Sequence, residues 1–156
     1  MNPIAMIPIG VVRSTRKIVV DDDWDREEAA IELDGNAFSG ESMAGITDFS
    51  HVEVLFHMDQ VSPDRIENAA RHPRNNPDWP KVGIFAQRGK NRPNQIGTTI
   101  CRVVRLDGMR LHVAGLDAVD GTPVLDIKPW VDEFSPRGRT FQPPWISELM
   151  KGYWVR

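Results

Sequence analysis

One cysteine, Cys101, in 156 residues excludes an intrachain disulfide and any metal site built on a cysteine pair. It lies in an apolar run, which fits a buried, unreactive thiol. No apolar run approaches the ~20 residues that cross a bilayer, so no membrane partner is expected. The opening Met1-Asn2-Pro3-Ile4 has no basic flank followed by a long apolar segment, so a secretory signal is not expected and a reducing cytoplasm fits. An excess of positive charge is also missing: 19 Lys and Arg face 22 Asp and Glu, for a net charge of -3. That balance excludes a generally basic protein that coats nucleic acid. There is no Gly-x-Gly-x-x-Gly, no Gly-Lys-Ser/Thr phosphate loop and no strand-helix alternation, so the common nucleotide-binding folds are excluded. Ser39, Ser42 and Ser50 stand in no nucleophile-elbow context, which removes a serine hydrolase. Internal repeats and low-complexity tracts are absent as well.

The length suits one domain with a real core, and 40% hydrophobic with 26% charged residues is ordinary for a globular chain. Charge is uneven along it. Asp21-Asp22-Asp23-Trp24-Asp25 is acidic, and Trp24 reads as exposed there, whereas Arg88, Lys90, Arg92, Arg102 and Arg105 cluster later. Period-two patterns and turn residues predict strands at 7–14, 29–33, 51–61, 82–86, 98–106, 111–116 and 124–128. The clearest is 51–61, with Val52, Val54, Phe56 and Met58 on one face and His51, Glu53, Leu55, His57 and Asp59 on the other. A helical turn is expected around 64–71, and Asp107-Gly108 reads as a tight turn. Pro143-Pro144 precedes a short helix carrying Trp145 and Leu149 on one face. Short strands without a long amphipathic helix predict an all-β fold, a small closed or partly open barrel with a short helical tail. The expected division is a barrel domain at 1–135 and a tail at 136–156, packed on the barrel or on a second subunit.

Two polar clusters carry the chemistry. Residues 85–98 hold three cations (Arg88, Lys90, Arg92) and four side-chain amides (Gln87, Asn91, Asn94, Gln95), with no acid. A plain turn needs no such density of donors; a loop that grips an anionic partner does. Residues 116–129 hold Asp117, Asp120, Asp126 and Lys128 around a strand-turn-strand. Asp120-Gly121 with Pro123 is also an ordinary turn signal, and Asp126 and Lys128 alternate with Val124 toward one strand face, where they could simply pair. A metal reading through His51, His57 and Asp59 is poor, because six positions of extended strand separate the first two by ~20 Å.

The ordered segments Ile9-Gly10-Val11-Val12-Arg13-Ser14, Phe49-Ser50-His51, Gly83-Ile84-Phe85-Ala86-Gln87-Arg88, Asn91-Arg92-Pro93-Asn94-Gln95-Ile96-Gly97 and Asp117-Ala118-Val119-Asp120-Gly121-Thr122-Pro123-Val124-Leu125-Asp126-Ile127-Lys128-Pro129 resemble the TsaA-like family. That family includes the TrmO-type tRNA adenine N6-methyltransferases, and the resemblance covers most of residues 8–132. It implies a β-barrel methyltransferase that uses S-adenosylmethionine, forms a homodimer with the cofactor near the subunit boundary, and methylates N6 of threonylcarbamoyladenosine beside the tRNA anticodon. Carried over by motif, Arg88 and Asp117-Ala118-Val119-Asp120 match cofactor-contacting positions, and Met58, Asp59 and Thr98 match others more loosely.

Those residue types suit the task. Asp117 and Asp120 can accept from ribose hydroxyls or an ammonium, and Arg88 can hold a carboxylate in a bidentate fork. Methyl transfer is an in-line displacement, so alignment dominates, and a base helps to deprotonate a weak nitrogen nucleophile. Asp120, Asp126 and His57 are the candidates for that base. Lys90, Arg92, Asn94 and Lys128 are candidates for the acceptor, through tRNA phosphates or the threonyl carboxylate. This chain departs from the resemblance in several places. The tRNA enzymes commonly carry Pro where Gln95 stands and often His at Asp59, and their Pro-Arg-Gln-like element is replaced by Asp21 to Asp25. Gln95 is expected to loosen the loop and add a donor. The C-terminal domain of the larger tRNA enzymes is also not seen, which leaves methylation of a small molecule, or a non-catalytic nucleotide- or RNA-binding module, as alternatives.

Overall fold

Six antiparallel strands close into a barrel in this computed structural model, which describes residues 2–154. Met1, and with it the start of the opening segment, lies outside the described residues, as do 155 and 156 at the end of the tail. The barrel strands are β1 (Gly10–Ser14), β2 (Glu28–Leu33), β3 (His51–His57), β6 (Ile96–Asp107), β7 (Arg110–Ala114) and β8 (Pro123–Pro129), in the spatial order β1-β2-β7-β6-β3-β8. The ring closes where Gly10 and Val11 of β1 pair with Val124 and Pro123 of β8. Closure leaves the barrel without an edge strand, which is how its short strands satisfy their backbone.

The core follows from strand alternation. Val52, Val54 and Phe56 of β3 face inward with Val12, Ile31, Leu111, Val113 and Val124, and Cys101 is fully buried among them. Each such aliphatic side chain contributes about 1.5–3 kcal/mol by leaving water. Burial pushes the Cys101 thiol well above the usual cysteine range, with the Asp117 charge adding to the effect. It is therefore a packing residue, as its apolar surroundings in the sequence imply.

Several expectations need correction. The run 82–86 is not a barrel strand. Only Val82–Gly83 (β5) is extended, pairing with Ala70–Arg71 (β4) in a separate two-stranded ribbon. The chain then tightens into a 3-10 turn at Ile84–Ala86 that buries Ile84 and leaves Phe85 exposed. The helical turn expected around 64–71 is a single 3-10 turn at Pro63–Arg65. Trp24 is not exposed: it is 3% accessible. The Arg16 guanidinium lies 4.0 Å from the centre of its ring, a cation-π contact that lets an aromatic residue sit buried within an acidic loop.

Strand β8 breaks its own parity. Leu55 faces Asp126, but Phe56 faces Val124, so Leu125 is a bulge. A bulge adds one residue and reverses which side chains point inward. Val124 and Ile127 therefore both pack on the core, while Asp126 and Lys128 lie on the outer face opposite Leu55 and Glu53. The single-face reading of Val124 with Asp126 and Lys128 fails for this reason, although Lys128 does pair with Asp126.

The C-terminal segment forms a short helix, α1 (Pro144–Leu149), and returns to the barrel. Its backbone joins the acidic loop through Asp23 N–H to Gly152 C=O (3.1 Å) and Trp24 N–H to Tyr153 C=O (3.0 Å).

Candidate functional site

The site is built where the start of β6, the turn after β7 and the tail meet. On β6, Thr98 points outward and Thr99 inward, 6% exposed. The chain leaving β7 places Asp117, half-buried, so that the Thr99 hydroxyl donates to its Oδ1. The phenol of Tyr153 donates to its Oδ2. A carboxylate offers about four lone-pair directions, so two remain for a ligand. Arg88, exposed in the donor-rich loop, donates from Nη2 to the Thr98 carbonyl at 2.9 Å. One edge of its guanidinium is thereby fixed, and other N–H groups stay available for an anion. Burial and then Asp117 push the Tyr153 phenol far above the usual tyrosine range, while the Arg88 charge opposes them.

Around this group the acidic loop is clamped by cations. Lys90 Nζ meets Asp21 at 2.8 Å, and Arg74 meets Asp22 at 2.6 Å. Arg16 donates to the carbonyls of Asp22 and Asp23 at 3.0 and 2.6 Å. Burial alone would raise Asp21, but Lys90 and Arg74 outweigh it and hold the carboxyl below the usual range. Such half-exposed pairs are each worth little alone; as a network they fix the loop.

The donor-rich loop is also tied within itself. Arg92 donates to the Gln87 carbonyl at 3.0 Å. Gln95, expected to loosen the loop, does the reverse: its amide donates to the carbonyls of Met58 and Val61 at 3.0 and 2.9 Å. Met58 N–H in turn donates to the Gln95 carbonyl at 2.8 Å. Asn94 and Gln95 both have positive φ, 63° and 52°. Proline is locked near φ -65°, so Gln95→Pro, although it restores the residue common in the tRNA enzymes, is expected to destabilise this chain by about 2 kcal/mol. A urea midpoint equal to that of the wild type would contradict this.

Of the residues singled out in the sequence, Arg88 is anchored on the Thr98 carbonyl, Asp117 on the hydroxyl of the next residue, Thr99, and Lys90 pairs with Asp21. The buried Ala118 and Val119 hold the Asp117 turn against the core. Met58 is tied to the far side of the loop, and Asp59 and Asn94 are exposed. Asp120 is committed elsewhere: its Oδ1 accepts from Ser14 N–H at 3.1 Å and its own N–H donates to Arg16 C=O at 2.8 Å, pinning the end of β1. Asp126 and Lys128 form an outer-face pair beside Glu53, which accepts from Thr98 Oγ1 at 2.9 Å. Among the described residues, His57 makes no side-chain hydrogen bond, and no group of three His, Cys, Asp or Glu could hold a metal ion. Sequence reasoning missed Thr99, Tyr153, Asp21 and Arg74. Nothing local marks them, because their partners are 18 to 69 residues away. A shallow cleft of about 260 Å³ lies between Asp25, Arg102, Gly115 and Trp154. His51 is the one motif residue on its lining; the candidate cofactor contacts Arg88 and Asp117 do not line it.

Residues 21–135 match the tRNA-methyltransferase O N-terminal domain family. The chain belongs to that family. Within the tRNA-methyltransferase O family it is 34% identical over 117 residues to the mouse tRNA (adenine(37)-N6)-methyltransferase, a match covering 68% of this chain and 25% of the mouse protein. It is 33% identical over 138 residues to the probable S-adenosyl-L-methionine-binding protein of Methanothermobacter thermautotrophicus, covering 86% of this chain and 96% of that one. Among solved structures, TrmO from Pseudomonas aeruginosa superposes with a TM-score of 0.69 at 29% identity, covering 88% of this chain and 62% of the other. The chain thus spans about a quarter of the mouse enzyme and under two thirds of the bacterial TrmO structure. The matched residues 21–135 hold five of the six barrel strands, β1 lying before them, and contain Arg88, Asp117 and the loops between them.

Proposed function

We propose that this chain binds S-adenosylmethionine and directs its methyl group to N6 of a modified adenosine, threonylcarbamoyladenosine, beside the tRNA anticodon. The observation that carries the reading is the anchoring of Arg88 and Asp117 on consecutive residues at the start of β6, Thr98 and Thr99, in a chain whose relatives are named for S-adenosylmethionine and for tRNA adenine methylation. The donor set suits that molecule. Arg88 would hold its carboxylate, and the free lone pairs of Asp117 would accept from its ribose hydroxyls or ammonium. When bound, S-adenosylmethionine supplies an electrophilic methyl group on a sulfonium. The chain's own part is to hold the donor rigidly, since in-line displacement depends on alignment, and to accept the proton lost by the nitrogen. His57, Asp120 and Asp126 stay the candidates for that proton; Asp120 and Asp126 already accept hydrogen bonds.

Calorimetry with S-adenosylmethionine tests the reading. Arg88→Ala is expected to weaken binding about tenfold, the loss of one charge-assisted contact. Asp120→Ala, which frees the end of β1, serves as the companion variant. No detectable binding by the wild type would overturn the cofactor assignment.

One observation favours a small-molecule acceptor instead. Lys90 and Arg92, the candidates for tRNA phosphates, are already engaged by Asp21 and by the Gln87 carbonyl. Mass spectrometry of tRNA nucleosides from a deletion strain separates the two: an unchanged methyl profile removes tRNA as the acceptor. Binding without turnover in any acceptor mixture would leave a nucleotide-binding module.

We further take residues 1–135 as the catalytic barrel and 136–156 as a tail completing it, in a cytoplasmic homodimer. The buried Cys101 thiol suits a reducing compartment. No described helix is long and apolar enough to cross a membrane. Light scattering of the full chain reads the dimer directly.

A further inference from the structure

We infer that Tyr153 is a positioning residue for Asp117, so that the C-terminal segment is part of the cofactor site and not a separate appendage. The inference rests on the reading that Asp117 contacts S-adenosylmethionine.

Three observations carry it. First, the contact joins distant parts of the chain: the phenol donates to one oxygen of Asp117 while Thr99 donates to the other. Two donors from two different elements stop the carboxylate from rotating about its terminal bond. An acceptor group oriented before its ligand arrives loses less freedom on binding. Second, the segment is held at several points. Its backbone bonds Asp23 and Trp24, and Glu148 accepts from the Trp79 indole at 3.1 Å. The Tyr153 and Trp154 rings meet edge to face at 5.0 Å, and Trp154 lies beside Gly115, two residues before Asp117. A strap poised to leave would not be anchored on both sides of its functional side chain. Third, the phenol remains a donor at neutral pH. The charged groups facing it are Asp117, Asp21, Arg88 and Arg74, with Asp22 against the neighbouring Gly152. Burial and the carboxylates keep it protonated, with Arg88 opposing.

The chain has a single tyrosine, so the contact can be read without any ligand. Ultraviolet titration at the tyrosinate band is expected to show no ionisation of the wild type near the ordinary value of about 10. Asp117→Asn should move the transition back toward it. A wild-type transition at the ordinary value, in folded protein, overturns the contact. Calorimetry with S-adenosylmethionine on wild type, Tyr153→Phe, Asp117→Asn and the double variant then tests positioning. Tyr153→Phe keeps the ring and its packing, and a thermal melt confirms folding. It is expected to weaken binding about fivefold, and to have no further effect once Asp117 is Asn, the coupling expected of residues that act through each other. Equal effects in both backgrounds mean that the tyrosine is only structural. Tighter binding by Tyr153→Phe means that the phenol blocks the site; either result overturns the inference. If the wild type fails to bind while its phenol still titrates high, the cofactor reading falls and takes the positioning role with it, leaving only the contact.

Discussion

Asp117→Ala will lower the melting temperature by about 10 °C and remove measurable S-adenosylmethionine binding. The carboxylate is the shared acceptor of two donors, the Thr99 hydroxyl and the Tyr153 phenol. Thr99 is 6% exposed, so no water replaces the lost partner freely. An unsatisfied buried donor costs about 1–3 kcal/mol, and two of them about 2–6 kcal/mol. For a domain of this size each kcal/mol moves the melting temperature by ~2–4 °C. Such a loss is a large part of a typical total stability of about 5–15 kcal/mol. Asp117→Asn keeps one acceptor oxygen and should lose roughly half as much. Calorimetric melts of the three proteins check this order. A melting temperature unchanged in Asp117→Ala would show that the carboxylate ties nothing together.

Gly10→Ala will destabilise the chain by about 3–5 kcal/mol, more than most single substitutions. Gly10 pairs with Leu33 on one side and Val124 on the other. A Cβ there would stand 2.3 Å from the Glu32 carbonyl oxygen and 3.0 Å from the Leu33 Cα. Those are backbone atoms, so no rotamer change relieves the contact; β1 and β2 must separate. They would do so at the seam where Gly10 and Val11 pair with β8 and the Ile9 N–H donates to the Val124 carbonyl. Gly83→Ala is the control, since nothing lies within 4 Å of a Cβ at that position, and it should be near neutral. Urea unfolding of both variants gives the comparison. Equal midpoints would mean that the barrel seam yields more easily than its geometry implies.

The difference between these two sites shows what a sequence can and cannot convey. Gly10 stands inside an apolar strand pattern, where glycine marks a bend or a close backbone approach. Asp117 was legible through its motif, but the Thr99 and Tyr153 that give it its geometry were not. The strand alternation of 51–57 marked its inward face correctly, since a half-buried strand imprints a period of two. The same rule failed on β8, because the bulge at Leu125 is decided by pairing with β3 and leaves no local signal. Trp24 was misread for a similar reason: its neighbours in the chain are acids, while its neighbours in space are Arg16 and the tail.

By itself, then, the chain's sequence determined the all-β class, the burial of Cys101, the inward face of β3 and the two loops that carry Arg88 and Asp117. These are local matters of periodicity, turn chemistry and residue type, each expressed within about a dozen positions. Only the tertiary structure decided that Lys90 and Arg74 are engaged by Asp21 and Asp22, that Gln95 ties its loop down, and that Tyr153 reaches Asp117. Those contacts depend on how a closed ring of strands brings residues tens of positions apart to one end of the barrel, and no local pattern encodes that meeting.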